Sequence, residues 1–243
     1  MWGIVPAAGR GTRIQPLAFS KELLPVGSRL VHGSERPRAV GDYLVERMLS
    51  AGVDRICFVI APGKFDILEH FGGEIGGAAI CYAVQSEPVG LCDAIFRALP
   101  FIPSDELVAI GLPDTIWFPI DGLTYLAKDE LSFLLFPTFH PEFFDAVVTA
   151  EGGAVREIQV KQREASSNWI WGAFQAPARV LQDLKALWLR RGRSDEYIGT
   201  LVNAYLAGGG HATGVRAGEQ YVDVGTLDGY RSAIRLLSEQ QPA

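Results

Sequence analysis

Cysteine is scarce, with three copies (Cys57, Cys81 and Cys92) in 243 residues. That number and scatter exclude a metal knuckle and a disulfide framework, and an odd count suits a reducing compartment. Cys57 and Cys81 sit inside apolar runs, where packing thiols are expected. Histidine is nearly as sparse: His32, His70, His140 and His211 show no ligand spacing. No apolar run reaches the roughly 20 residues of a membrane-spanning helix. Positive charge is in deficit, with 22 Lys and Arg against 28 Asp and Glu, a net charge of −6. That balance excludes a general nucleic-acid binder but allows a local basic pocket. Also missing are Gly-x-Ser-x-Gly, His-Glu-x-x-His and Cys-x-x-Cys, the GxGxxG fingerprint of dehydrogenases and the GxxxxGK[ST] P-loop. Repeats and low-complexity segments are absent as well. What remains, 48% apolar and 21% charged, is the composition of a globule with a full core. Trp2 enters the first apolar run at once, so no signal peptide is expected and the cytoplasm is the expected location.

The stretch Ile4–Arg13, with Ser20-Lys21-Glu22-Leu23-Leu24-Pro25-Val26 after it, is the most informative in the chain. An apolar strand breaks into Ala7-Ala8-Gly9-Arg10-Gly11-Thr12 and delivers two cations, Arg13 and Lys21. A glycine-rich loop after a strand exposes backbone N–H groups that can cradle phosphate oxygens. Arg and Lys beside it can neutralise phosphate charge. The glycines alone fit an ordinary strand-to-helix turn equally well.

Strand and helix then alternate. Strands are expected at 2–7, 56–60, 79–84 and 107–112, and helices at 40–49, 64–71 and 91–99. Residues 30–37 read as a surface excursion. This alternation predicts a mostly parallel sheet with helices on both faces, and ligands beyond the strand ends. The second half differs. A hairpin is expected from 145–150 and 154–161, then strands at 168–176, 211–217 and 221–224, and helices at 177–189, 196–206 and 227–237. The tail from Ser238 to Ala243 is expected to fray. One domain, 1–243, is expected, with subregions at 1–120 and 121–243, which the resemblance described below implies bind nucleotide and sugar phosphate.

Asp114 ends a strand, and Asp223 lies inside an apolar one. An acid there is costly to bury unpaired, so each needs a cation, a helix N-terminus or a metal, unless it serves as a turn acceptor. Trp169 and Trp171 share one face of their strand, available to the core or to a sugar ring. Lys185, Arg190, Arg191 and Arg193 read as a solvated helix end.

The string Ala7-Ala8-Gly9-Arg10-Gly11-Thr12-Arg13, followed by Lys21-Glu22-Leu23-Leu24-Pro25-Val26, resembles the signature of the sugar-phosphate nucleotidyltransferases. The likeness is strongest to the glucose-1-phosphate thymidylyl- and uridylyltransferases. Val222-Asp223-Val224-Gly225-Thr226 is similar to that family's Asp-x-Gly-Thr. The resemblance implies a Rossmann-like α/β fold with a small second-half lobe over the sugar. It implies transfer from dTTP or UTP to a sugar-1-phosphate, with Arg13 and Lys21 as catalytic cations. Ala8, Gly9, Gly11, Thr12, Gln85 and Gly90 would bind nucleotide, with the Gln85 amide and Gly90 at the pyrimidine ring. Lys161 and Gly172 would bind the sugar phosphate, and Asp114 and Asp223 a Mg2+ ion. Neither nucleic acid nor membrane is expected as a partner, and a homo-oligomer is left open. Three departures stand out. Ser20 occupies a position that is often Pro, Val160 replaces a sugar-binding Glu, and Asp145-Ala146-Val147-Val148 replaces Tyr-Gly-Val-Val. The alternatives are a cytidylyltransferase of the same fold and a nucleotide sensor without sugar chemistry.

Overall fold

The middle of the molecule is β1 (Trp2–Pro6), buried along all but its last residue. Its side chains alternate between two cores, Ile4 in one and Val5 in the other. Such a strand must be covered on both faces, which explains its unbroken apolar sequence. The computed structural model describes residues 1–31 and 33–240, so His32 lies outside it.

Parallel neighbours flank β1: β4 (Arg55–Ile60) on one side and β7 (Leu107–Gly111) on the other. Outside β4 lie β6 (Ala78–Val84), parallel, and the short antiparallel β5 (Glu74–Ile75). Cys57 and Cys81 are direct neighbours across β4 and β6; Cys57 is buried as expected, and Cys81 only half-buried. Helices α1 (Val40–Ser50) and α2 (Phe65–Phe71) pack one face, through Leu44, Val45, Met48, Ile67 and Phe71. The other face carries α3 (Leu91–Ala98), α4 (Ala178–Arg190) and α5 (Ile198–Ala207). The spacing of Val40, Leu44 and Met48 therefore marks a helix, as expected, and Asp42 Oδ2 accepts the Ala39 N–H at 3.2 Å at its start.

The second half continues the same sheet through main-chain hydrogen bonds. Strand β12 (Trp169–Pro177) runs antiparallel to β7, with Ala173 opposite Gly111 and Pro177 opposite Leu107. Beyond it β10 (Asp145–Thr149) and β11 (Val155–Val160) form the expected hairpin. On its other edge β12 pairs with β9 (Leu131–Pro137), which carries β13 (Ala212–Val215). The result is a mixed sheet with a parallel centre and helices on both faces.

Between Asp114 and Asp145 the sequence marks no element, yet the chain forms β8 (Thr115–Phe118) as well as β9. Strand β8 pairs with β14 (Gln220–Asp223) apart from the main sheet. The excursion at 30–37 is regular too: β2 (Pro25–Val31) and β3 (Ser34–Ala39) make an exposed antiparallel ribbon. Helix α6 (Leu227–Gln240) closes the described chain. Residues 238–240 of the tail expected to fray continue this helix, and residues 241–243 lie outside the described residues. A third core unites Leu24, Val26, Val40, Tyr43, Ile116, Val224 and Ala233, binding ribbon, β8, β14 and α6 together.

On β12 a bulge falls between Trp171 and Ala173, which makes Gly172 the extra residue. A Cβ there would stand 2.6 Å from both the Phe136 and Tyr221 rings. Those rings pack on each other with centroids 5.3 Å apart. Gly172→Ala is therefore expected to cost about 1–3 kcal/mol by overpacking, read as a lower urea midpoint.

Candidate active site

Strand β1 hands the chain to the glycine loop under tight constraint. The Ala7 N–H donates to Val59 O at 2.8 Å, and Lys64 Nζ donates to Ala7 O at 2.7 Å and to both Glu22 carboxylate oxygens at 2.9 Å. Gly9 and Arg10 are exposed beyond that anchor. Nothing stands within 4 Å of where a Gly9 Cβ would be, so its backbone is open to a ligand. Gly11 has φ +64°, and a Cβ there would meet the Lys21 side chain at 2.9 Å. Glycine is thus required twice, for the turn and for the passage of Lys21. The loop returns at Ser20, whose N–H and Oγ both donate to Asp66, at 2.6 and 2.7 Å. Proline could not make the first of these bonds, which gives the Ser20 departure a physical sense.

Asp114 and Asp223, far apart in sequence, meet through the β8–β14 pair. Asp223 stands opposite Thr115, and the Val224 N–H donates to Asp114 O at 2.8 Å. The point where a Gly225 Cβ would stand is 2.8 Å from Asp223 Oδ1, 3.1 Å from Asp114 Oδ2 and 3.2 Å from Arg13 Nη2. Arg13 Nη2 donates to Asp223 Oδ2 at 3.0 Å, and Lys21 Nζ donates to Asp114 Oδ2. Two acids and two cations therefore share one small volume.

Burial alone would raise the Asp114 carboxyl, but the adjacent Lys21 ammonium outweighs it and holds the acid below the usual carboxylate range. Burial would likewise lower Lys21, yet Asp114, Glu22 and Asp223 raise it. Glu22 is raised by its burial, against the pull of Lys64 and Lys21. Burial also lifts the Tyr221 phenol well above its ordinary value, helped by Asp223 and Asp114.

A cavity of about 270 Å³ opens over this cluster. Arg13, Lys21, Asp114 and Asp223 line it, together with Asp145, Lys161, Trp171 and Tyr197. Lys161 is held at φ +46°, a conformation that costs a non-glycine residue about 1–3 kcal/mol. Its Nζ donates to Tyr197 Oη at 3.3 Å and lies 4.4 Å from that ring's centroid. Trp171 belongs to a core, as one reading expected, and also lines the cavity. Trp169 packs against the same core under Arg216.

A second cavity, about 370 Å³, adjoins the first at Pro6, Gly9 and Leu91. Ala8, Arg10, Gln85, Gly90 and Glu196 complete much of its lining. The Gln85 amide is fixed: Nε2 donates to Gly90 O at 3.0 Å and to Asp93 Oδ2 at 2.9 Å. With both N–H groups engaged, Oε1 is the end left to accept from a ligand. Gly90 answers to packing as well, because a Cβ there would lie 2.7 Å from Glu196 O.

The structure thus gathers Gly9, Arg13, Lys21, Asp114, Lys161 and Asp223 around one cavity, and Ala8, Gln85 and Gly90 around its neighbour. Gly11 and Thr12 lie in the loop without lining either, and Gly172 is covered by Tyr221 and Phe136. Two departures face each other, since Asp145 is directly opposite Val160 across β10 and β11. Sequence reasoning passed over Glu22, Lys64, Tyr197 and Tyr221. Lys64 did carry a signal, since it follows shortly after the C-terminal end of a parallel strand. Tyr197 and Tyr221 carried none.

The family model described as nucleotidyl transferase matches residues 2–240. The chain belongs to this family. This nucleotidyl transferase is 24% identical to a UTP–glucose-1-phosphate uridylyltransferase of Haloferax volcanii, over 99% of the chain and 98% of that protein. It is 29% identical to a glucose-1-phosphate thymidylyltransferase of Mycobacterium tuberculosis, over 99% of the chain and 84% of that protein. Among solved structures, a UTP-bound UGPase of Acinetobacter baumannii superposes with a TM-score of 0.76 at 20% identity, covering 99% of this chain and 94% of that one. That likeness concerns the fold. Among the described residues of the nucleotidyl transferase, no helix is long and apolar enough to cross a membrane.

The ion pair between Lys21 and Asp114 has a measurable consequence. An acid held low stabilises the fold above its unfolded value and loses that contribution as pH falls through its folded value. Asp114→Asn leaves the Lys21 ammonium buried beside a neutral group, an expected loss of about 3–5 kcal/mol at neutral pH. In urea titrations across pH, the gap from wild type is expected to narrow below about pH 4.

Proposed function

We propose that the chain joins UTP or dTTP to a sugar-1-phosphate, forming a nucleoside-diphospho-sugar and pyrophosphate. The observation that carries this reading is the meeting of two cavities at Gly9, one holding paired acids and cations, the other an amide fixed as an acceptor. A triphosphate crossing the open backbone at Gly9 would have its base beside Gln85 and its phosphates beside Arg13 and Lys21. Ala8, Gly11 and Thr12 shape the loop that approaches those phosphates. The sugar phosphate would lie toward Lys161, on the far side of the acids, with Gly172 setting the wall behind it through Tyr221.

In the reaction an oxygen of the sugar phosphate attacks the α-phosphorus, and the bond from that phosphorus to the oxygen bridging to the β-phosphate breaks. The electron pair leaves with pyrophosphate, whose charge Arg13 stabilises, while Lys21 and Lys161 steady the α-phosphate and the incoming phosphate. The attacking oxygen is already ionised, so the site needs no general base. Its work is positioning and charge stabilisation.

Asp114 and Asp223 would hold a divalent cation, with Mg2+ the ion their oxygen donors favour. The fit rests on the two carboxylates sharing one small volume, with Asp223 Oδ1 and Asp114 Oδ2 at 2.8 and 3.1 Å from one point beside Gly225. Such a pair suits a hard ion that takes its remaining ligands from phosphates and water. When bound, the ion neutralises phosphate charge as a Lewis acid.

The base preference follows from Gln85. Uracil and thymine carry an imide N–H that Oε1 can accept, whereas cytosine offers a bare acceptor at that ring position. The relatives named for uridylyl and thymidylyl transfer bracket the same two nucleotides.

A pyrophosphate-release screen of UTP, dTTP, CTP, ATP and GTP against sugar-1-phosphates tests the assignment. Turnover is expected with UTP or dTTP, and a preference for CTP would overturn the role given to Gln85. Arg13→Ala is expected to lower turnover by about 10²–10³, as loss of an oxyanion donor does; undiminished turnover would refute its assignment.

A further inference from the structure

One acid in the first cavity has no part in the chemistry above. Asp145 begins β10 and lines that cavity together with the paired acids. Its Oδ1 is buried and has no hydrogen-bond partner among the described residues. Its Oδ2 receives a long bond, 3.4 Å, from Trp171 Nε1. A carboxylate offers about four acceptor positions, so this one is largely unsatisfied. The obvious cation is engaged elsewhere, since Lys161 Nζ is drawn to the Tyr197 hydroxyl and ring. Burial accordingly pushes the Asp145 carboxyl up, with Trp171 and Lys161 offsetting part of the rise.

A poorly partnered acceptor costs stability; Oδ1 is closed off from the cavity, so Oδ2, held by one long bond, is the oxygen that a ligand's donor would satisfy. Arg13 and Lys21 are committed to Asp223 and Asp114, on the triphosphate side. Asp145 stands opposite Val160, the residue before Lys161, so it lies near the lysine given the sugar phosphate and near the sugar bonded to that phosphate. Accepting the assignment of this cavity to a sugar-1-phosphate, we propose that Asp145 selects the sugar. The ring that the site accepts presents a hydrogen-bond donor, a hydroxyl or an amine, to the Asp145 carboxylate. A ring with a carboxylate there is repelled, and one with only carbon-bound hydrogen leaves the acid unsatisfied.

The test is a substrate-by-variant matrix of kcat/KM on the full chain. The substrates are glucose-1-phosphate, its single-deoxy analogues, glucosamine-1-phosphate and glucuronic acid-1-phosphate. The proteins are wild type, Asp145→Asn and Asp145→Ala, each checked for unaltered UTP or dTTP binding by calorimetry. Wild type is expected to lose roughly tenfold to a hundredfold on one deoxy change, and on glucuronic acid where its carboxylate takes that position. In Asp145→Ala those differences are expected to collapse, because the analogue no longer strands an acceptor. Asparagine distinguishes the two donors: it keeps discrimination by a hydroxyl, whose bond its carbonyl can accept, and loses a preference for a charged amine. If wild type turns over and the ranking of sugars is the same in all three proteins, the role of Asp145 is overturned. If no nucleotide and sugar phosphate react in wild type, the underlying reading fails first and takes this inference with it.

Discussion

Four main-chain positions in β8 and four in β14 hold the candidate site together. Their antiparallel register sets Asp223 opposite Thr115 and ties Val224 to Asp114. Side chains alternate along a strand, so a one-residue slip would turn Asp223 to the opposite face and separate it from Arg13 and Asp114. A two-stranded pair is marginal alone. The register here is secured from beneath by the core of Ile116, Val224, Ala233, Leu24 and the ribbon residue Val26. The ribbon and α6 contribute no acid or cation to the cluster. They hold the surface on which the acids meet.

Once the acids are together, charge governs the rest. Two carboxylates sharing one small volume repel, and their charge calls for compensation. Lys21 and Arg13 supply it, from the loop and the turn that follow β1. The loop's own path is then fixed by a second layer of charge: Lys64 joins Ala7 to Glu22, and Asp66 gathers Ser20. Both Lys64 and Asp66 come from the start of α2, so one helix end fixes the departure and the return of the loop. A site built this way keeps its cations and acids mutually neutralised until a ligand of higher charge offers each a better partner.

Much of this was legible in the sequence, for a physical reason. Buried parallel strands need unbroken apolar runs, and glycine loops and strand-end acids are local in sequence, so β1, β4, β6, β7 and the residues Gly9, Arg13, Lys21 and Asp114 announce themselves. The hairpin of β10 and β11 announces itself through Glu151-Gly152-Gly153. Strand β9 did not, because Leu131–Pro137 is an almost continuous apolar run, which periodicity cannot tell from a buried helical segment. Strand β8 is only four residues long and exists because β14 returns to pair with it. Tyr197 and Tyr221 were silent for the same reason, since only tertiary contact brings either to the cavity. Gly90 was legible as necessary, and the structure adds a second ground, the packing of Glu196 against it.

That contact bears on how the two cavities communicate. The Leu91 N–H at the start of α3 donates to Glu196 O at 2.9 Å, and Glu196 also packs on Gly90 and lines the cavity with Gln85. Two residues beyond it, Tyr197 and Ile198 line the other cavity, where Tyr197 holds Lys161. The segment 196–198 thus touches both sites from the second half of the chain, while Pro6, Gly9 and Leu91 touch both from the first. Glu196 forms part of one wall, and its neighbours Tyr197 and Ile198 form part of the other, so a displacement of this short segment reaches both cavities.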